Sequence, residues 1–187
     1  MAPRLSAEDW INAGLKALAR AGFTALKAEL LAAELGVSRG SFYWHFADIG
    51  AYHRAVLARW RDIAALAIID DIERTTERRD RLAVLLRRAF LADTALEVAV
   101  RGWGAAAPHV QATLAAVDQD RIGYIEALLV DKGFAPGPAH WRALAFYSAY
   151  LGLVLSGRRL NRGEVDEFLA ELSVLGIAGG LAAPKGG

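Results

Sequence analysis

A chain of 187 residues is long enough to bury one sizeable core or two small ones. Its 55% hydrophobic content, rich in Ala and Leu and without alternating runs, points to an all-α protein, and the absence of Cys excludes a disulfide framework or a thiolate metal site. A net charge of +1, with seven Lys/Arg against five Asp/Glu in residues 1–60, permits a nucleic-acid partner without arguing for one.

The opening MAPRLSAEDW has no apolar segment of the secretory kind, which makes the cytoplasm the expected location. Ser6 to Asp9 reads as a capping box, with an acidic side chain three residues after the capping hydroxyl. Trp10, Ile11, Gly14, Ala17, Leu18 and Ala21 follow at helical spacing, predicting a first helix to about Ala21. Gly22 stands where a left-handed C-cap is expected, with Phe23 folding back to seal the end. Trp10 and Phe23 are expected in the core.

Leu26 to Phe46 reads as a short helix, a tight turn at Gly36-Val37, and a second short helix opened by Ser38 as N-cap. At about 100° per residue, Phe42 and Phe46 share one face while Gly40 and Trp44 point the opposite way, with Tyr43 on the flank. So short a helix has room for one buried stripe. Arg39, Gly40, Ser41, Tyr43, Trp44 and His45 are left for solvent or a partner. Two helices joined by such a turn form a helix-turn-helix, whose second helix can enter a DNA major groove.

The run from Leu31 to Phe46, LAAELGVSRGSFYWHF, together with the preceding helix and Gly22-Phe23, resembles the DNA-binding signature of the TetR family of one-component repressors. The resemblance covers roughly residues 5 to 60. It implies a three-helix DNA-binding head (residues 1–48), joined by a long helix to a helical effector-binding and dimerisation body (residues 49–187). It places Ala32 where the two helices cross and gives the turn to Gly36. Arg39, Gly40 and Tyr43 would lie nearest base edges, with Ser41, Trp44 and His45 on the phosphate backbone; Lys27 and Ser38 complete the expected DNA-binding set. The implied partners are double-stranded DNA with a palindromic operator and a small, largely apolar effector. Two positions depart from the family pattern. Ile49 stands at the usual phosphate-contacting Lys, and Leu26-Lys27-Ala28-Glu29 replaces the usual Ser or Thr at the start of the second helix. Lys27 can supply the missing phosphate contact, whereas Glu29 would be repelled if it faced the backbone.

Ala47-Asp48 gives a second N-cap, and the apolar positions Tyr52, Val56, Leu57, Trp60, Ile63, Ala64 and Ala67 predict one helix from Ile49 to Asp71. The mixed-charge stretch Asp70 to Arg81 reads as a helix end and solvated loop, with a second basic DNA contact as the sharper alternative. Helices are then expected over Leu82–Asp93, Ala95–Trp103 (closing near Gly104 and Pro108) and Val110–Lys132, the last capped by Gly133. Pro136-Gly137-Pro138 marks a turn expected to be non-helical, before helices over Trp141–Leu155 and Val165–Ala178 and a frayed tail. The apolar stretch Ala143 to Leu155, interrupted by Ser148, is too short to span a bilayer, so no membrane partner is expected.

The last two helices are the expected homodimer interface. Ala145, Ala149 and Gly152 put small residues near one face of the first, and Phe168, Leu172 and Leu175 line the second. Arg101 and Asp118 lie amid apolar sequence and read as an internal ion pair, with a polar anchor in a ligand cavity as the sharper reading. Trp103, Tyr124, Phe146 and Tyr147, with Phe90, are candidates to line an apolar effector pocket with Arg101. His109 and His140 have no helical partner at metal-ligand spacing and are expected on the surface, so no metal and no cofactor is expected. No nucleophile–base spacing, phosphate-binding glycine loop or HExxH occurs, so no catalytic residue is assigned. A sequence-specific regulator, expected to be a repressor released by a small molecule, leads two alternatives: a helix-turn-helix used for protein docking, and a small all-α enzyme.

Overall fold

A computed structural model describes residues 5–177, with side chains as far as Leu172. The described residues form α-helices joined by short turns and fall into two compact units. The first comprises the chain up to Asp70 together with Asp93–Asp120; the second comprises Asp71–Ala92 and the chain from Arg121 onward.

In the first unit, α1 (Ala7–Ala21) starts with the expected capping box. The Asp9 amide donates to the Ser6 hydroxyl at 3.2 Å, and the Ser6 amide donates to the Asp9 carboxylate at 2.7 Å. Hydrogen bonds from the Ser6 amide and then its hydroxyl hold the Asp9 carboxyl below its usual range. A folded value depressed in this way makes the cap contribute above the ordinary carboxylate range and lose that contribution as pH falls. Gly22 closes α1 at φ 73 and ψ −173, a positive φ with an extended ψ, so the expected left-handed cap is replaced by a bend into a 3-10 turn over Phe23–Ala25. That bend carries Phe23 outward to 38% exposure instead of into the core. There its ring stacks on Trp103 at 4.7 Å and meets His53 edge-on at 4.9 Å.

Next come α2 (Ala28–Glu34), α3 (Arg39–Phe42) and α4 (Ile49–Arg61), packed with α1 around Trp10, Phe42, Phe46 and Tyr52. The Phe42 ring lies 5.4 Å from Trp10 and 5.3 Å from each of Phe46 and Tyr52. The Tyr52 hydroxyl donates to the Trp10 carbonyl at 2.8 Å, bridging α4 to α1. This approach requires Gly14, where an added Cβ would stand 2.0 Å from the Tyr52 oxygen. The Trp10 indole N–H, buried and without an acceptor among the described residues, costs about 1–3 kcal/mol against the benefit of burying its ring. Also in this unit, α7 (Ala95–Ala106) lies along α1, and the first part of α8 (Pro108–Asp131) packs beside it.

The helix expected from Ile49 to Asp71 does not keep one period. A π-helical turn over Asp62–Leu66 separates α4 from α5 (Ala67–Thr75), with the Ala67 amide reaching back five residues to the Asp62 carbonyl. The extra residue rotates the apolar face. Ala65, Ile69 and Ile72 turn inward in place of Ala67, which is exposed.

The second unit packs α6 (Arg81–Leu91) with the rest of α8, α9 (Pro136–Ser156) and α10 (Arg162–Ile177). The charged stretch before α6 is more ordered than a solvated loop. Arg78 pairs with Asp131, Arg81 pairs with Glu73, and Tyr124 donates to Glu73 at 2.7 Å. α9 begins at Pro136, which corrects the expected turn at Pro136-Gly137-Pro138. The first turn of a helix has no acceptors for its amides, so prolines there lose no hydrogen bond and bring a suitable φ. On α10, Phe168 meets Phe90 edge-on at 5.3 Å, and Leu172 packs on the same core. The side chain of Leu175 and the tail after Ala178 lie outside the described residues.

Candidate nucleic-acid interface and ligand cavity

Of the expected DNA-binding residues, the run from Ser38 to His45 is positioned by how α2 stops and α3 is held. A Schellman motif ends α2: Val37 donates to the Ala32 carbonyl at 3.0 Å and Gly36 to that of Ala33 at 3.2 Å. The motif needs the positive φ of 67 that Gly36 supplies. Arg20 grips Glu34 with two hydrogen bonds of 3.2 and 2.7 Å, fixing the end of α2 to the end of α1. Ser38 occupies the N-cap position of α3 with extended backbone, but its hydroxyl makes no capping bond; only its carbonyl is used, by the Ser41 amide at 3.0 Å. Four residues cannot stabilise a helix alone. The burial of Phe42 and Phe46 does it instead, with turns at Tyr43 and His45 continuing the coil.

What remains faces outward. Tyr43 is 49% and Trp44 84% exposed, while Ser38, Arg39 and Gly40 are exposed and Ser41 and His45 half-buried. Arg39 donates to the Tyr43 hydroxyl at 3.1 Å, and its guanidinium carbon lies 5.8 Å from the ring centre. These contacts present a planar cation and a phenol as one surface. Lys27, at the N-cap position of α2, is exposed, as are Glu29 and Ile49. His53 donates to the Leu26 carbonyl at 2.9 Å, so α4 secures the chain just ahead of Lys27.

The six expected pocket residues are distributed over both units. In the first, Trp103 is a buried core residue, and Arg101 forms ion pairs with Glu97 at 2.8 Å and Asp118 at 2.6 Å. In the second, Phe90, Tyr124, Phe146 and Tyr147 line the core or its edge, with Arg121 donating to Tyr147 at 3.4 Å. A cavity of about 420 Å³ opens within that unit, and of the six only Phe146 lines it. Its apolar wall includes Leu82, Leu86, Leu129, Phe134 and Leu169, and its charged lining is Arg87, Lys132, Arg142 and Asp166. Sequence reasoning misses these residues because they come from four helices and a turn. The Gly133 cap, which fixes the chain at Phe134, is the available signal. His109 and His140 are exposed as expected, His140 donating to Glu126 at 2.9 Å. Among the described residues no group of His, Asp or Glu is placed to hold a metal ion, and no helix is long and apolar enough to cross a membrane.

Residues 11–51 match the family described as bacterial regulatory proteins, tetR family. The fold is similar to that of a transcriptional regulator from Rhodococcus sp. Rha1, with a TM-score of 0.74 and 18% identity over 91% of this chain and 95% of that one. It is similar also to the fatty acid degradation regulator FadR from Bacillus halodurans, with a TM-score of 0.62 and 14% identity over 93% of this chain and 99% of that one. No curated protein matches the chain in sequence.

Proposed function

This chain belongs to the TetR family of bacterial regulators, and from that premise we propose that it is a dimeric, sequence-specific repressor whose hold on DNA is loosened by a small molecule. It is a DNA-binding transcriptional regulator, and regulators of this family are generally not enzymes. The observation carrying the reading is the division of labour at α3: Phe42 is wholly buried, while its neighbours Tyr43 and Trp44 stand outward beside Arg39. Large aromatic side chains exposed side by side, with a cation beside them, form the kind of surface patch that marks a contact site. Residues 1–48 act as the reading head and residues 49–187 as the effector-binding and dimerisation part.

Homodimerisation through the last two helices is supported by α9. Trp141 is 68% exposed, and Ala145, Ser148, Gly152 and Leu155 follow on exposed positions at helical spacing. This strip of small and apolar groups suits a two-fold helix contact. A two-fold pair sets two recognition helices roughly 34–36 Å apart, one DNA turn. Release follows from linkage: an effector shifts the equilibrium only by its differential affinity for the arrangement that cannot bind DNA. The protein acts in the cytoplasm, where its operator lies.

Selection of bound fragments from a bacterial genome by the purified protein tests the reading. A palindrome with half-sites one helical turn apart is expected; recovery of fragments without any common sequence would sink it. Tyr43→Ala is expected to weaken operator binding by about 1–3 kcal/mol in a fluorescence-anisotropy titration, and an unchanged curve removes Tyr43 from base reading. Lys27→Ala should lower the slope of log K against log salt by about one ion. If the slope stays as in the parent protein, Lys27 makes no phosphate contact and does not compensate for the apolar side chain of Ile49.

A further inference from the structure

We propose that Arg39 reads one guanine in each operator half-site, with Tyr43 positioning its fork and Gly40 leaving room for the base edge. The inference rests on the DNA-binding reading above and gives the target a chemical feature at one base pair. Arg39 opens α3 and is exposed, and it donates to the Tyr43 hydroxyl at 3.1 Å. Among the described residues it forms no ion pair, although Glu29 favours its charge through space. The bond to Tyr43 uses one of the two hydrogens on Nη2. The other, together with those on Nη1, is left as a planar pair of donors, which suits two acceptors side by side. On its major-groove edge guanine shows that pair, N7 and O6, whereas adenine sets an amino donor beside its N7. The fork therefore accepts guanine and rejects adenine.

Tyr43 is the positioning residue. Its ring meets the buried Phe42 ring edge-on at 5.3 Å, so the core of the head holds the phenol and the phenol holds the guanidinium. A long side chain braced in this way has less freedom left to lose when it meets a base. Gly40 supplies the space. Glycine within a helix is less stable than alanine, yet nothing in the fold requires it here. Its φ is not positive, and an added Cβ would meet only the Ser38 hydroxyl, at the ordinary distance of 3.7 Å. The side chain is missing on the exposed surface next to Arg39, where a methyl group would stand between helix and base edge.

The test selects duplexes from a randomised library with the purified full chain. Guanines of the recovered operator are then replaced one at a time by 7-deazaguanine, which pairs normally but lacks the N7 acceptor. One such replacement per half-site is expected to weaken binding about tenfold, the loss of one hydrogen bond from a charged donor. Arg39→Gln, titrated at low salt, should ignore that replacement and prefer adenine there, because a Gln amide matches the N6 and N7 of adenine. Tyr43→Phe keeps the ring and should lose discrimination at that base pair and at no other. Gly40→Ala should keep its helix content and thermal stability while binding the operator more weakly. The proposal is overturned by an Arg39→Gln variant as sensitive as the parent, by full discrimination in Tyr43→Phe, or by undiminished binding in Gly40→Ala. A library that yields no common sequence sinks the regulator reading and this inference with it. A common sequence in which no guanine N7 matters sinks the inference alone.

Discussion

Arg101→Met destabilises the first unit by about 3–5 kcal/mol, measured as a shift in urea unfolding at neutral pH. The volume is nearly kept, so the loss comes from charge. Arg101 bridges Glu97 on its own helix and Asp118 on α8, and the Glu97 side chain is only 7% exposed. Removing the cation takes away the group that bridges the buried Glu97 carboxylate to the partly exposed Asp118 carboxylate. Breaking such a group is far more costly than the group was worth, because desolvation had already offset most of its attraction. Replacing all three members together, Glu97→Leu, Arg101→Met and Asp118→Leu, should therefore recover most of the stability. A single variant within about 1 kcal/mol of the parent, or a triple variant as weak as the single one, would show that the triad is not closed to solvent in this way.

Phe42→Ala removes about 3–5 kcal/mol from the same unit and abolishes operator binding, although Phe42 itself is hidden from any DNA. The ring is the centre of the cluster that includes Trp10, Phe46 and Tyr52, and α3 has only four residues of its own. With the ring gone, the stretch from Arg39 to His45 loses the anchor at its middle, and Phe46 holds only its far end. Amide exchange there should rise towards that of an open segment while α8 keeps its protection. Phe42→Leu fills most of the space and should cost less than half as much, with binding retained. Wild-type operator affinity in the alanine variant would disprove the view that a buried ring holds the reading surface.

Where one local rule decides, the sequence is readable. The Ser6–Asp9 box, the Gly36 turn and the Gly133 cap each require a particular residue at a particular offset, and each occurs as expected. The inward place of Phe42 and the outward place of Trp44 follow from helical period alone. What the sequence hides depends on neighbours distant in the chain. Size alone puts Phe23 in the core, yet its position is set by Trp103, eighty residues on, and by the bend at Gly22. The π-helical turn leaves the composition of its stretch helical and changes only the phase, which no count of apolar spacing registers. Pro136 and Pro138 read as breakers only while their offset from the helix start is unknown, and that offset reverses their meaning. The cavity is least legible of all. Arg142 looks like any polar residue on an amphipathic helix until Phe134 is seen beneath it.

At α3, the groups that hold the segment in place and the groups it displays are different atoms on different sides. Drift in one set need not disturb the other. Substitutions among the outward residues can therefore change what this surface displays, one position at a time, while the buried anchors stay in place throughout.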